Sequence, residues 1–215
     1  MPLRVLLADD HPIFRAGVRS LMDSQLSAEV VAEVEDGAGA VEVALAEKPD
    51  VVVIDVSMPG MNGLEATLHI TGENPRTKVL CLSMHSDPRF ADAALRSGAH
   101  GYLIKECAPE ELVGAIRAVV AGGIYVSPGL GDAVLESYRN GGCKLSSLSG
   151  LTLREREVLQ LLAEGQSTHD IAERLHVSVK TVGTHREHLM HKVGTHSLAG
   201  LTKFAIREGL TSVEK

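Results

Sequence analysis

Five short apolar runs, separated by amphipathic stretches of helical length, dominate the first 125 residues of this 215-residue chain. The runs are Arg4–Ala8, Val30–Val34, Val51–Val56, Lys78–Met84 and Gly101–Ile104. Helical patterns lie between them at about 13–24, 37–47, 63–73, 87–97 and 108–121. Parallel strands need a crossover that returns the chain to the same end of the sheet, and strands alternating with helices of this length supply one. Val51-Val52-Val53-Ile54 is apolar without alternation, as a central strand covered on both faces must be. The expected fold is α/β, a five-stranded doubly wound parallel sheet.

The texture changes after residue 125. Ser127-Pro128-Gly129 punctuates a short helical candidate, Leu130–Tyr138, and Arg139–Gly150 is rich in Gly and Ser with no periodicity. Four helical patterns follow, at about 152–164, 168–175, 179–193 and 197–208, with no strand among them. The organisation read from this is a domain over 1–125, a linker with a short helix over 126–147, and an all-α four-helix domain over 148–215.

Charge divides the same way. Residues 1–125 hold 10 Lys/Arg against 18 Asp/Glu, whereas residues 148–215 hold 9 against 8 and six of the ten histidines. The second domain is therefore near neutral, and charge alone does not point to nucleic acid. Cys81, Cys107 and Cys143 are odd in number and far apart, which argues against a disulfide framework and a Cys-rich zinc site. No window approaches a membrane span and no secretory signal is legible, so a cytoplasmic location is expected.

In an open parallel sheet, ligands bind beyond the carboxyl ends of the strands. The residues there are Asp9 and Asp10 after the first run, Asp55 after the third, Ser83 near the end of the fourth and Lys105 after the fifth. Each alone has a structural reading: Asp10 as a helix cap, Asp55 in a βα turn, Ser83 as a satisfied core hydroxyl, Lys105 as a solvated cation. Together, three carboxylates at one end of a sheet repel one another unless a cation holds them. Hard oxygen donors suit Mg²⁺.

These residues, with Asp55-Val56-Ser57-Met58-Pro59-Gly60-Met61-Asn62-Gly63 and Gly98-Ala99-His100-Gly101-Tyr102-Leu103-Ile104-Lys105, resemble the receiver domain of bacterial two-component response regulators over about residues 3–121. The resemblance implies a flavodoxin-like fold. It implies that Asp55 accepts a phosphoryl group from a sensor histidine kinase. Asp10, Asp55 and the Ser57 backbone carbonyl would ligate Mg²⁺, and Asp9 would act mostly through bound water. Lys105 and Ser83 would contact the phosphoryl oxygens, and Tyr102 would rotate inward as Ser83 moves. The rival class is an Asp-nucleophile phosphatase, but position 57, where that family's second acid would stand, is Ser57. A dinucleotide-loop reading of Gly37–Glu42 fails because the third Gly is missing.

In the second domain, Thr152 and Glu155 form a capping-box pattern, Gly165 ends the first helix, and Ser167 or Thr168 caps a short second one. His176-Val177 turns the chain, and Ser178 caps a longer helix, Val179–Val193. The plain alternative is a capped helical bundle. Leu151-Thr152-x-Arg154-Glu155-x-Glu157-Val158-Leu159, Ile171-Ala172-x-x-Leu175, Val177-Ser178 and Lys180-Thr181-Val182 are similar to the LuxR-type helix-turn-helix of NarL/FixJ-class regulators.

Helical spacing puts Val182, His185, Leu189 and Val193 on one face, so His185 reads as a hydrogen-bonded core histidine. Lys180, Thr181, Gly183, Thr184, Arg186, Glu187, His188 and Lys192 are the candidate contacts with double-stranded DNA. Lys180, Arg186 and Lys192 would meet phosphate; Thr184 and Glu187 would meet base edges. Gly183 stands where the family often has Lys, and Glu187 adds negative charge, so both should weaken non-specific affinity. Function then leans on a homodimer across two half-sites, with Ser197–Glu208 as both core and seam. The reading also expects the unphosphorylated receiver to cover the recognition helix or that seam, and the chain to be a transcription regulator, not an enzyme.

Overall fold

A computed structural model of the chain describes residues 2–132, 134, 151–175, 177–208 and 210–211. The chain divides into two compact units, Met1–Ser137 and Tyr138–Lys215.

In the first unit, β1 (Arg4–Ala8), β2 (Glu29–Val34), β3 (Val51–Asp55), β4 (Lys78–Ser83) and β5 (Gly101–Ile104) alternate with α1 (Pro12–Leu21), α2 (Gly37–Glu47), α3 (Gly63–Glu73), α4 (Pro88–Arg96) and α5 (Pro109–Val120). A π-helical turn, Met22–Leu26, continues α1. A sixth strand, β6 (Tyr125–Val126), pairs parallel to β5. The sheet order is β2-β1-β3-β4-β5-β6, so the five expected strands are joined by one more. A two-residue strand has no period to read in a sequence. Leu130 and Val134 are buried in the core of this unit, so the part of 126–147 that bears them packs on the sheet. Residues 133 and 135–138 of the candidate helix Leu130–Tyr138 and the expected linker over Arg139–Gly150 lie outside the described residues.

Strand side chains alternate between two cores. Leu6, Ala8, Val52, Ile54, Val79 and Cys81 pack with apolar residues of α2, α3 and α4. Val5, Leu7, Val51, Val53, Leu80 and Leu82 pack with those of α1 and α5. Period-two alternation on a sheet covered on both faces produces this split, and each fully buried aliphatic side chain contributes roughly 1.5–3 kcal/mol.

The β3–α3 connection is tight. Asn62 caps α3 by accepting from the Glu65 N–H at 2.9 Å. A Cβ on Gly63 would overlap the Asp55 carbonyl. Only glycine lets α3 start so close beneath the end of β3.

The second unit holds α6 (Leu153–Ala163), α7 (Thr168–Arg174), α8 (Val179–Val193) and α9 (Leu198–Arg207). Thr152 and Glu155 make the expected capping box on α6, and Ser167 with Asp170 makes another on α7. Gly165 and Gly194 take the left-handed conformation after α6 and α8, at φ +84° and +71°. Val158, Leu159, Leu162, Ile171, Val182, Leu189, Leu201 and Phe204 form the core. His176 lies outside the described residues. No helix among the described residues is long and apolar enough to cross a membrane.

Two glycine substitutions separate the effects of space and propensity. Gly63→Ala is expected to destabilise the first unit by about 1–3 kcal/mol, because backbone must move. Gly17→Ala, inside α1 with nothing within 4 Å of the added Cβ, should stabilise it by about 0.5–1 kcal/mol. Urea unfolding midpoints check both.

Candidate functional site

All six strands run parallel, so the residues that follow β1, β3, β4 and β5 gather at one edge. Asp9 and Asp55 are buried there, and Asp10 is partly exposed. One ligand atom each from Asp9, Asp10, His11 and Asp55 falls within 4.8 Å of the others.

Lys105 ties the group together. Its Nζ lies 2.8 Å from Asp9 Oδ2 and 2.9 Å from Asp55 Oδ2, with a side chain only 4% exposed. The same ammonium stands 4.7 Å from the centre of the Phe14 ring. The Ser57 N–H donates to Asp55 Oδ1 at 3.0 Å. Burial pushes the Asp55 carboxyl above its ordinary range, and Lys105 and the Ser57 amide oppose that push. Asp55 is thus a desolvated carboxylate facing a fixed cation, a suitable nucleophile towards an electrophile that brings further positive charge.

His11, the N-cap residue of α1, joins the site. Its Nδ1 is 2.8 Å from Asp10 Oδ1, 3.2 Å from Asp9 Oδ1 and 3.8 Å from Asp55 Oδ2. The legible signal was an imidazole next to an acid pair in a βα turn. Asp9 also accepts the His11 N–H at 2.8 Å, while its backbone carbonyl accepts from Arg15 at 2.5 Å.

On the neighbouring strands, Ser83 is buried and its hydroxyl accepts the His85 N–H at 3.1 Å. Tyr102 is fully buried and its hydroxyl donates to the His85 carbonyl at 2.8 Å. Burial raises the Tyr102 phenol, so it stays a donor. The ring expected to rotate inward already occupies the inward position. The His85 and Phe90 rings stack with centroids 4.3 Å apart.

The second site candidate is α8. Val182 and Leu189 are buried, and Lys180, Thr184, Arg186, Glu187 and His188 are exposed. Thr181 and Gly183 are half-exposed. Ser178 accepts the Thr181 N–H at 3.0 Å, so that amide is committed to the cap. Thr184 donates its hydroxyl to the Lys180 carbonyl at 3.2 Å.

Two placements differ from the sequence reading. Lys192 Nζ lies 2.6 Å from Glu155 Oε2, which binds the end of α8 to the cap of α6. Burial raises the Glu155 carboxyl, but Lys192 and the Thr152 cap outweigh it and hold the group below its ordinary range. His185 is half-buried as expected, yet its buried Nδ1 has no hydrogen-bond partner. On α9, Leu201, Phe204 and Ala205 enter the core while Leu198 is 48% exposed.

The Asp55 shift has a stability consequence with a definite sign. A carboxyl whose pKa is raised by folding costs stability once pH exceeds its unfolded value, and the cost vanishes below it. With Lys105 still paired to Asp9, Asp55→Asn is therefore expected to stabilise the first unit near neutral pH. The gain should fade below about pH 4 in thermal scans across pH.

Residues 5–117 match the family described as the response regulator receiver domain, and residues 149–205 match bacterial regulatory proteins of the luxR family. The oxygen regulatory protein NreC of Staphylococcus epidermidis is 38% identical over 215 residues, covering 97% of this chain and 99% of that protein. A LuxR-family two-component response regulator from Aurantimonas sp. SI85-9A1 matches at TM-score 0.61 and 38% identity over 64% of this chain and 99% of its own. RcsB from Salmonella enterica serovar Typhimurium, solved bound to promoter P1flhDC with phosphomimetic BeF3−, matches at TM-score 0.61 and 28% identity over 98% of this chain and 100% of its own. The chain therefore belongs to the LuxR-type two-component response regulators, transcription regulators that join a receiver to a DNA-binding helix-turn-helix domain.

Proposed function

We propose that Asp55 is the phosphoryl acceptor, and that its phosphorylation by a sensor histidine kinase switches dimerisation and sequence-specific DNA binding. The observation that carries this reading is the buried Asp55 carboxylate held by Lys105 at 2.9 Å beside Asp9 and Asp10. An Asp55 oxygen forms the new O–P bond, the P–N bond of the phosphohistidine breaks, and the imidazole leaves with the electron pair. Lys105 then exchanges a carboxylate partner for a phosphoryl oxygen, which keeps the buried ammonium paired. Ser83 offers its hydroxyl to another.

The donor set fits a divalent cation: three carboxylates close enough to share one ion, with hard oxygen atoms. Asp10, Asp55 and the Ser57 carbonyl would hold Mg²⁺ directly, with Asp9 behind them. When bound, the ion neutralises charge that builds on the transferred group. Nothing resembling a turnover acid stands at position 57, so the acyl phosphate persists as a signal, with slow self-hydrolysis the only catalysis.

On α8, Lys180 and Arg186 are the phosphate contacts, Thr181 and His188 flank them, and Glu187 and Thr184 read base edges. Lys192 contributes chiefly by fixing the helix through Glu155. Leu198 marks the exposed side of α9, and with Ser197–Glu208 it serves as a homodimer seam that spaces two half-sites. The chain works in the cytoplasm, where kinase and DNA meet.

Incubation with acetyl phosphate and MgCl₂ should add the mass of one phosphoryl group to the wild type and none to Asp55→Ala. Lys105→Ala should slow labelling roughly 10²-fold. Equal labelling of Asp55→Ala would contradict the assignment. In a gel shift over a salt series, Arg186→Ala should reduce the log–log salt slope by about one. Gly183→Lys, whose Cβ meets nothing within 4 Å, should raise it by about one.

A further inference from the structure

We propose that His11 is itself a ligand in the cation site, through Nδ1, and that it tunes the site towards ions that accept imidazole. The inference rests on the divalent-cation reading of Asp9, Asp10 and Asp55 and deepens it.

Three observations carry it. Nδ1 of His11 stands 2.8 Å from Asp10 Oδ1, 3.2 Å from Asp9 Oδ1 and 3.8 Å from Asp55 Oδ2, so one ring nitrogen faces all three carboxylates. Donors at about 2.1 Å from a common ion lie about 3 Å apart in neighbouring octahedral positions; the His11 spacings to Asp10 and Asp9 match this, and that to Asp55 is wider at 3.8 Å. Second, the contacts of the ring nitrogen run to the carboxylates of the site itself, where an ion would take the place of the proton between them. His11 is the N-cap of α1, but its side chain makes no capping bond. Third, its backbone is fixed: the His11 N–H donates to Asp9, and the His11 carbonyl accepts the Arg15 N–H at 3.0 Å. The side chain therefore starts from an anchored point beside Asp10, and it is 59% exposed, which leaves room to turn a lone pair onto an ion.

The chemistry predicts the ion. Carboxylates and a carbonyl alone suit Mg²⁺, but a neutral imidazole adds most to Mn²⁺, Co²⁺ and ions later in that series. The site would then take Mn²⁺ or Co²⁺ in preference to Mg²⁺ at equal concentration, and the preference would reside in His11.

The full-length chain, stripped of metal, is titrated with MgCl₂, MnCl₂ and CoCl₂ by calorimetry as wild type, His11→Ala and His11→Phe. The Phe variant keeps the ring volume, and circular dichroism verifies that each variant is folded. Expected is a loss of about tenfold or more in Co²⁺ and Mn²⁺ affinity in both variants. Mg²⁺ affinity should change by less than about threefold. Pulsed electron paramagnetic resonance of bound Mn²⁺ should show a directly bonded nitrogen in the wild type only. Equal affinities with no nitrogen coupling would overturn the role of His11 while leaving the carboxylate site standing. No binding of any of the three ions would overturn the cation site itself, and this inference with it.

Discussion

The receiver depends on one buried ammonium between two buried carboxylates. Asp9 and Asp55 stand buried at the ends of neighbouring strands, and burial works against the charged form of Asp55. Lys105 offsets that cost by lying within 2.9 Å of each. Its position is set by β5, and its depth by the Phe14 ring beside it. The arrangement is stable but unsaturated in charge: three acids and His11 stand around one lysine. A site with excess negative charge, built on the ends of paired strands, suits the cation and the phosphoryl group proposed for it.

Connection to the rest of the unit runs through the next strands. Ser83 and Tyr102 both meet the backbone of His85, one from each side of its peptide links. On the proposed reading, a shift of Ser83 towards a phosphoryl oxygen would pull on the same short segment that holds the Tyr102 hydroxyl. Because the ring is fully buried, it is confined to discrete positions and does not slide continuously. That is the property a two-state switch requires. In the helical unit, the ion pair between Glu155 and Lys192 plays the matching mechanical part, locking the exposed helix to the first one.

The α/β sheet was legible because its strands are apolar on both faces and its helices carry their own period. Asp9, Asp10, Asp55, Ser83 and Lys105 were legible because strand ends of a parallel sheet share one edge. What escaped was local or distant. β6 is two residues long and joins the sheet only because β5 offers an open edge. His11 hid behind its place at the start of α1. The pairing of Lys192 with Glu155 was also hidden, because no helical period reveals a partner 37 residues away.

The most direct measurement is sedimentation equilibrium of the full-length wild type and Asp55→Ala, each with and without acetyl phosphate and MgCl₂, in the presence of duplex selected from a random-sequence pool by the phosphorylated wild type. The account predicts that phosphodonor shifts the wild type to a DNA-bound dimer and leaves Asp55→Ala unchanged. The same distribution for both proteins, with or without phosphodonor, would contradict it.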